Sequence, residues 1–181
     1  MQYPATHLVV MGVAGSGKST IAAALSQQLG WSCAEADEFH PQSNIDKMTQ
    51  GIPLQDEDRW PWLQEIQDWM TGQAATGNST VLTCSALKQS YRQLLSDAQG
   101  RVLFIHLDGG AELIGQRMQG REGHFMPPTL LPSQFATLEP LTDGELAAGS
   151  LRLDISLSPE ELVAAVVAAL KISARPEPSA C

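Results

Sequence analysis

The stretch HLVVMGVAGSGKSTIAAALSQQLG, residues 7–30, decides the fold. Its first five residues, HLVVM (7–11), are a β-branched-rich apolar run that stops at Gly12, as in a strand buried on both faces of a parallel sheet. From Lys18 onward come helix formers, with apolar residues at Ile21, Leu25 and Leu29, closed by Gly30. Between strand and helix, GVAGSGKST (12–20) satisfies G-x-x-x-x-G-K-[ST] in full. Such a loop, here Gly12, Val13, Ala14, Gly15, Ser16, Gly17, Lys18, Ser19 and Thr20, turns its backbone N–H groups onto phosphate oxygens. Gly12, Gly15 and Gly17 remove side chains that would block the approach, and the helix adds its positive end. Lys18 would reach the β and γ phosphates of ATP, and Ser19 would ligate Mg²⁺. Chance alone would produce the pattern in roughly a few chains per thousand of this length.

Working outward, strand and helix signals alternate. WSCAEAD (31–37) reads as a second strand, STVLTC (79–84) as a third, RVLFIHL (101–107) as a fourth and SLRLDISL (150–157) as a fifth. Helices are expected over 44–51, over about 58–72 with Pro61 in the first turn, over 86–100, over 111–121, and over 158–171 with Ser158 as N-cap and Pro159 at the first position. Alternation of this kind predicts an α/β three-layer fold with a five-stranded parallel sheet around the phosphate loop. Ligands of such sheets sit at the carboxyl ends of the strands. EGHFMPPTLLPSQFATLEPL (122–141) has three prolines after its glycine before Glu139 and a different texture, expected of an excursion from the core. One domain over 1–172 is expected, with a lid at about 120–138 and a disordered tail at 173–181.

The chain has 181 residues, 43% of them hydrophobic, with a net charge of −9. An acidic chain is a poor general partner for nucleic acid or an anionic membrane. Cys33, Cys84 and Cys181 are odd in number and far apart, which suits free thiols in a reducing compartment. The N-terminus lacks a basic region and a long apolar run, so a cytoplasmic protein is expected.

Switch and motor proteins place an aspartate after a further strand to hold metal and position water. The third strand here ends TVLTCSALK without an acid, and Glu35 and Asp37 end the second strand instead. Something other than water is expected to be positioned there.

The run EADEFHPQSNIDKMTQGIPLQDEDRWPWL (35–63), with CSALKQSYR (84–92) and GREGHFMPPTLLPSQFATLE (120–139), resembles the gluconate kinase family. The combination of D-x-x-H-P, N-x-x-K-M, G-x-P-L-x-D-x-D-R-x-P-W-L and C-S-A-L-K-x-x-Y-R is far narrower than the phosphate-loop motif, and the likeness spans nearly the whole chain. It implies transfer of the γ-phosphoryl group of ATP to the terminal hydroxyl of D-gluconate, an adenylate/shikimate-kinase-like fold with a mobile lid, and a homodimer. The family shows D-x-D where this chain has Glu35-Ala36-Asp37, so the first acid, which would support Mg²⁺ through water, is one methylene longer.

Charge placement adds to this reading. Of eleven Lys and Arg residues, Lys18, Lys47, Arg59, Lys88, Arg92, Arg117 and Arg121 lie in the phosphate loop or in segments expected near the strand tips. Arg59, Lys88 and Arg92 are the candidates for a sugar-acid carboxylate, each open also to a structural ion pair. Asp37 would align the attacking hydroxyl and accept its proton; capping the next helix or supporting Mg²⁺ are its alternatives. His40 would hydrogen-bond the sugar acid or its own loop. Arg117 and Arg121 would neutralise the transferred phosphoryl or stack on adenine from the lid, or else complement a helix end. His124 and Gln134 belong to the same pocket in this reading, and residues 156–158 are a positional candidate for adenine contact. Trp60, Trp62 and Trp69 read as packing residues. A kinase for another small acceptor, and a nucleotide-binding module without catalysis, are the competing readings.

Overall fold

The structure, a computed structural model, describes residues 4–119 and 131–170. Five parallel strands, β1 (Thr6–Met11), β2 (Ser32–Glu35), β3 (Thr80–Thr83), β4 (Arg101–Asp108) and β5 (Leu151–Asp154), lie in the order β2-β3-β1-β4-β5. The helices are α1 (Lys18–Leu29), α2 (Gln42–Thr49), α3 (Asp56–Ala75), α4 (Gln89–Ser96), α5 (Ala111–Gln119), α6 (Leu131–Thr137), α7 (Asp143–Ala147) and α8 (Pro159–Leu170).

Because side chains alternate along a strand, β1 feeds two cores. Leu8 and Val10 join Ile21 and Leu25 of α1, Ile114 of α5 and Val163 and Val166 of α8 on one face. Val9 and Met11 join Leu63, Ile66 and Met70 of α3 and Leu95 of α4 on the other. This double burial explains why HLVVM carries no polar alternation. At the edge, β5 alternates instead: Leu151 and Leu153 pack inward, while the exposed Arg152 pairs with Asp108 of β4 at 2.6 Å.

Several boundaries differ from expectation. The second strand is four residues long, and Ala36–Phe39 is a 3₁₀ turn that ends it before Asp37. It lies beside β3, which separates it from the phosphate-loop strand. The third strand begins at Thr80 and the fifth stops at Asp154, each shorter than its apolar run. The long helix starts at Asp56, which puts Pro61 at its sixth residue, in the second turn and not the first. The proline has no N–H for the Glu57 carbonyl, and three acids in the first turn, Asp56, Glu57 and Asp58, favour the early start. The helix after the third strand begins only at Gln89, because 84–88 is a loop. An unanticipated α7 rests on a reciprocal cap: Glu145 N donates to Thr142 Oγ1 at 3.1 Å and Thr142 N to the Glu145 carboxylate at 2.7 Å. The last helix is capped as expected, Glu161 N donating to Ser158 Oγ at 3.2 Å.

Candidate active site

The phosphate loop is shaped by backbone that only glycine takes easily. Gly15 and Gly17 have φ of +78° and +97°. A Cβ on Gly15 would lie 2.5 Å from Met118 Cγ of α5, and one on Gly12 would lie 2.9 Å from the Leu107 carbonyl oxygen. Helix α1 begins after Gly17 with no side-chain cap, which leaves its first-turn amides for an anion. The Ser16 hydroxyl is buried without a partner at the same cradle. Lys18 Nζ donates to the carbonyls of Gly12 and Val13 at 3.1 and 3.0 Å. Burial pushes its pKa down, and Cys84, Asp37 and Glu35 pull it back up. Ser19 and Thr20 are exposed at the mouth of the loop.

A second loop, 84–88, runs alongside. Cys84 N donates to Val10 O at 3.1 Å and Gly12 N to Ser85 O at 3.3 Å, so the tips of β1 and β3 are stitched together. Ala86 adopts φ +45°, a left-handed conformation costly for a residue with a Cβ. Arg92 holds it there, donating through Nη1 to Ala86 O at 3.0 Å and to Glu139 O at 3.1 Å, and through Nη2 to Pro140 O at 3.2 Å. Its Nε meets the Glu145 carboxylate at 2.7 Å. Arg92 is 0% exposed, so the expectation that it meets a sugar-acid carboxylate is corrected: its donors are spent on the loop, on residues 139–140 and on α7.

On the acceptor side, the Glu35 carboxylate at the tip of β2 accepts a short hydrogen bond from the Thr83 hydroxyl of β3. Asp37, in the 3₁₀ turn, has a side chain 94% exposed and open to a ligand. His40 is buried beside it, its Nε2 3.9 Å from Asp37 Oδ1. The ring stacks on Trp62, centroids 4.2 Å apart, and Nδ1 faces the Asn44 amide nitrogen at 3.2 Å. An amide nitrogen only donates, so Nδ1 accepts and the proton sits on Nε2, facing Asp37. Burial lowers the His40 pKa against the pull of Asp37, with Arg59 lowering it further, which keeps the ring neutral at physiological pH.

Arg59 and Lys88 converge from different elements. Their charged groups lie 5.6 and 5.5 Å from the ring centroid of Tyr91. Lys88 bridges both Asp56 oxygens at 3.1 Å, and the Tyr91 hydroxyl donates to the same carboxylate. The Tyr91 bond and then Lys88 hold Asp56 below the usual carboxylate range. Arg59 Nε is buried with no partner, while Nη2 approaches Leu54 O at 3.4 Å. Lys47 is tied to Asp58 at 2.7 Å. Much of the motif chemistry therefore stitches segments together, with Asp56, Tyr91, Thr83 and Glu145 the partners that sequence reading left unassigned. Asp56 and Tyr91 stood in the quoted motifs, and T-x-x-E at 142–145 is a capping-box signature. The three tryptophans do pack: Trp62 donates to Ala36 O at 2.7 Å, Trp60 meets Tyr91 edge-on and Trp69 meets Phe39.

The remaining wall comes from α5 and α6. Arg117 Nη2 donates to the Ile155 carbonyl at 2.7 Å, pinning α5 to the loop after β5. Gln134 Oε1 accepts from Ala14 N of the phosphate loop at 2.6 Å. Arg121, His124 and the 120–130 part of the expected lid lie outside the described residues, as does the tail with Cys181. No group of three or more metal-ligating side chains occurs among the described residues. No helix there is long and apolar enough to cross a membrane.

Comparison with known proteins gives this geometry relatives. A family model described as an AAA domain matches residues 8–140. A gluconokinase of Gluconobacter oxydans is 48% identical over 159 residues, covering 86% of this chain and 88% of that protein. A crystal structure of an unliganded sugar kinase from a Janibacter species superposes with TM-score 0.88 at 50% identity, covering 94% of this chain and 96% of that one. A gluconokinase structure from Sinorhizobium meliloti superposes with TM-score 0.79 at 40% identity, covering 94% of each.

Proposed function

The chain belongs to the gluconokinase family, and from that premise we infer that it transfers the γ-phosphoryl group of ATP to D-gluconate, giving 6-phospho-D-gluconate. The observation that carries the reading in the geometry is the stitched pair of loops at the tips of β1 and β3. One forms a phosphate cradle and the other carries Lys88 into a cluster with Arg59. That cluster holds two cations and one carboxylate, Asp56, leaving one positive charge for a monocarboxylic acid.

The cradle fits ATP on three grounds: glycines where a Cβ would collide, uncapped amides at the start of α1, and an orphaned Ser16 hydroxyl. Val13, Ala14, Lys18 and Thr20 complete the loop. Mg²⁺ suits a site with few protein ligands, because it keeps most of its waters and leans on phosphate oxygens. Ser19 would hold it directly and Glu35 through water, the latter sharing its carboxylate with Thr83. Bound Mg²⁺ would neutralise charge on the phosphates.

The gluconate carboxylate meets Arg59 and Lys88, and His40 Nε2–H is a donor for its hydroxyls. Asp37 aligns the terminal hydroxyl in line with the γ phosphorus and accepts its proton as the new P–O bond forms and the bridge to ADP breaks. Arg117 and Arg121 would neutralise the transferred phosphoryl group, His124 would serve the same pocket, and the loop after β5 would receive the nucleoside. A homodimer in the cytoplasm, and a single domain over 1–172 with its lid at 120–138, complete the proposal.

A coupled ADP-release assay across gluconate, other sugar acids, shikimate and nucleoside monophosphates tests it. Gluconate is expected to give the highest kcat/KM. Turnover with gluconate no faster than without acceptor, while another acceptor reacts, would overturn the assignment.

A further inference from the structure

One contact of the phosphate loop reaches into α6. The Ala14 amide, a backbone N–H of this loop, donates to the Gln134 carboxamide oxygen at 2.6 Å. A neutral side-chain oxygen thus meets a backbone N–H of a loop whose N–H groups are suited to phosphate oxygens. On its other side the loop is walled by apolar packing, Gly15 lying against Met118 and Ile114 of α5, so the Gln134 contact is the exchangeable one of the two.

Gln134 sits in the second turn of α6, and the chain leaving that helix is fastened to the acceptor side. Leu138 N donates to Gln134 O at 2.9 Å, and Glu139 N to Leu87 O at 2.7 Å. The Glu139 carboxylate accepts from Gln89 N at 2.7 Å. Leu87 and Gln89 flank Lys88. Six residues, 134–139, therefore link the phosphate loop at one end to the backbone around Lys88 at the other.

We propose that Gln134 is a positioning residue that couples the two substrates. ATP takes the Ala14 amide from Gln134, whose carboxamide then turns its N–H to the phosphate. The change is carried along 134–139 to the Lys88 loop, so each substrate alters the affinity of the other by the same factor. This rests on the kinase reading above for its acceptor arm, though not for its nucleotide arm.

The test is calorimetric titration of a non-hydrolysable ATP analogue, with and without saturating gluconate, in the wild type, Gln134→Ala and Gln134→Glu. In the wild type, gluconate should change analogue affinity about fivefold or more. Gln134→Ala should bind the analogue at least as tightly without gluconate, because the competitor is gone, and its coupling should fall to within about twofold. Gln134→Glu keeps an oxygen for Ala14 but sets a carboxylate against the phosphates, so it should lose about tenfold in analogue affinity with gluconate affinity unchanged. A merely structural role would lower thermal stability and leave coupling intact. Coupling that persists in Gln134→Ala, or is absent from the wild type, overturns the proposal. If Gln134→Ala fails to fold, Gln134→Glu with unaltered analogue affinity overturns it alone. Failure of gluconate to bind at all would instead strike the acceptor assignment, leaving the competition between Gln134 and phosphate to be judged from the gluconate-free titrations.

Discussion

Asp37 and Arg92 show how two charged residues near the strand tips take opposite roles. Asp37 is almost wholly exposed in a 3₁₀ turn, free to meet a hydroxyl. Asp37→Asn should lower kcat about 10²-fold or more while ATP affinity, read by analogue titration, stays within about threefold. Arg92 is sealed beneath Ala86 and paired with Glu145. Burial works to raise the Glu145 pKa, and the Arg92 and Thr142 bonds outweigh it, so the carboxyl stays ionised. Arg92→Met leaves the carbonyls of Ala86, Glu139 and Pro140 without their donor and the partly buried Glu145 carboxylate with only its Thr142 bond, and should cost about 3 kcal/mol in urea unfolding, with KM for gluconate near the wild-type value in the folded protein. Sequence placed both residues near the strand tips, because motif spacing encodes position. It did not tell a ligand-facing cation from a buried one, because that depends on which carbonyls and carboxylates the fold brings within reach.

At the scale of elements, helix α3 carries a conflict. Pro61 interrupts its ladder in the second turn, between Trp60 and Trp62. The helix persists because Trp62, Leu63, Ile66 and Met70 bury one face, and Trp62 is anchored to Ala36 O. Pro61→Ala restores a donor for Glu57 O and should raise unfolding free energy by about 1–3 kcal/mol, read from urea midpoints at constant m. Helix α7 depends on a different device. Thr142→Ala removes its reciprocal cap and should cost about 1 kcal/mol, with added loss if Glu145 shifts from Arg92. The first three turns of sequence around the phosphate loop were legible because glycine, lysine and periodicity all point to one arrangement. The long helix begins two residues earlier than expected because its acidic first turn and its buried face hold Pro61 in the second turn.

For the whole molecule, three buried histidines set an acid limit. Burial lowers the pKa of His7, His40 and His106 below the ordinary 6.5, against the Gln99 carbonyl, Asp37 and Asp108 respectively. The unfolded chain therefore takes up these protons first. Stability should be fully present above pH 6.5 and fall as pH drops through the lower folded values. Asp56, Asp58 and Asp154, depressed from 3.8, add a second loss in more acidic solution. On the alkaline side, burial pushes the Cys84 thiol from 9.0 up to about 12, so its contribution holds below 9.0 and is lost as pH rises toward 12. Urea midpoints measured from pH 4 to 10 should trace a plateau between about 7 and 9.

By itself the sequence determined the alternating α/β order, the phosphate loop and an acidic chain that sets most of its few cations in that loop or in segments near the strand tips. These are local or compositional properties, set by spacing along the chain. Only the tertiary structure decided that β3 lies between β1 and β2, that Arg92 supports a strained loop rather than a ligand, and that Gln134 reaches Ala14 from 120 residues away. Strand order and long-range pairing follow from how two apolar faces are covered at once, and no window of sequence contains that condition.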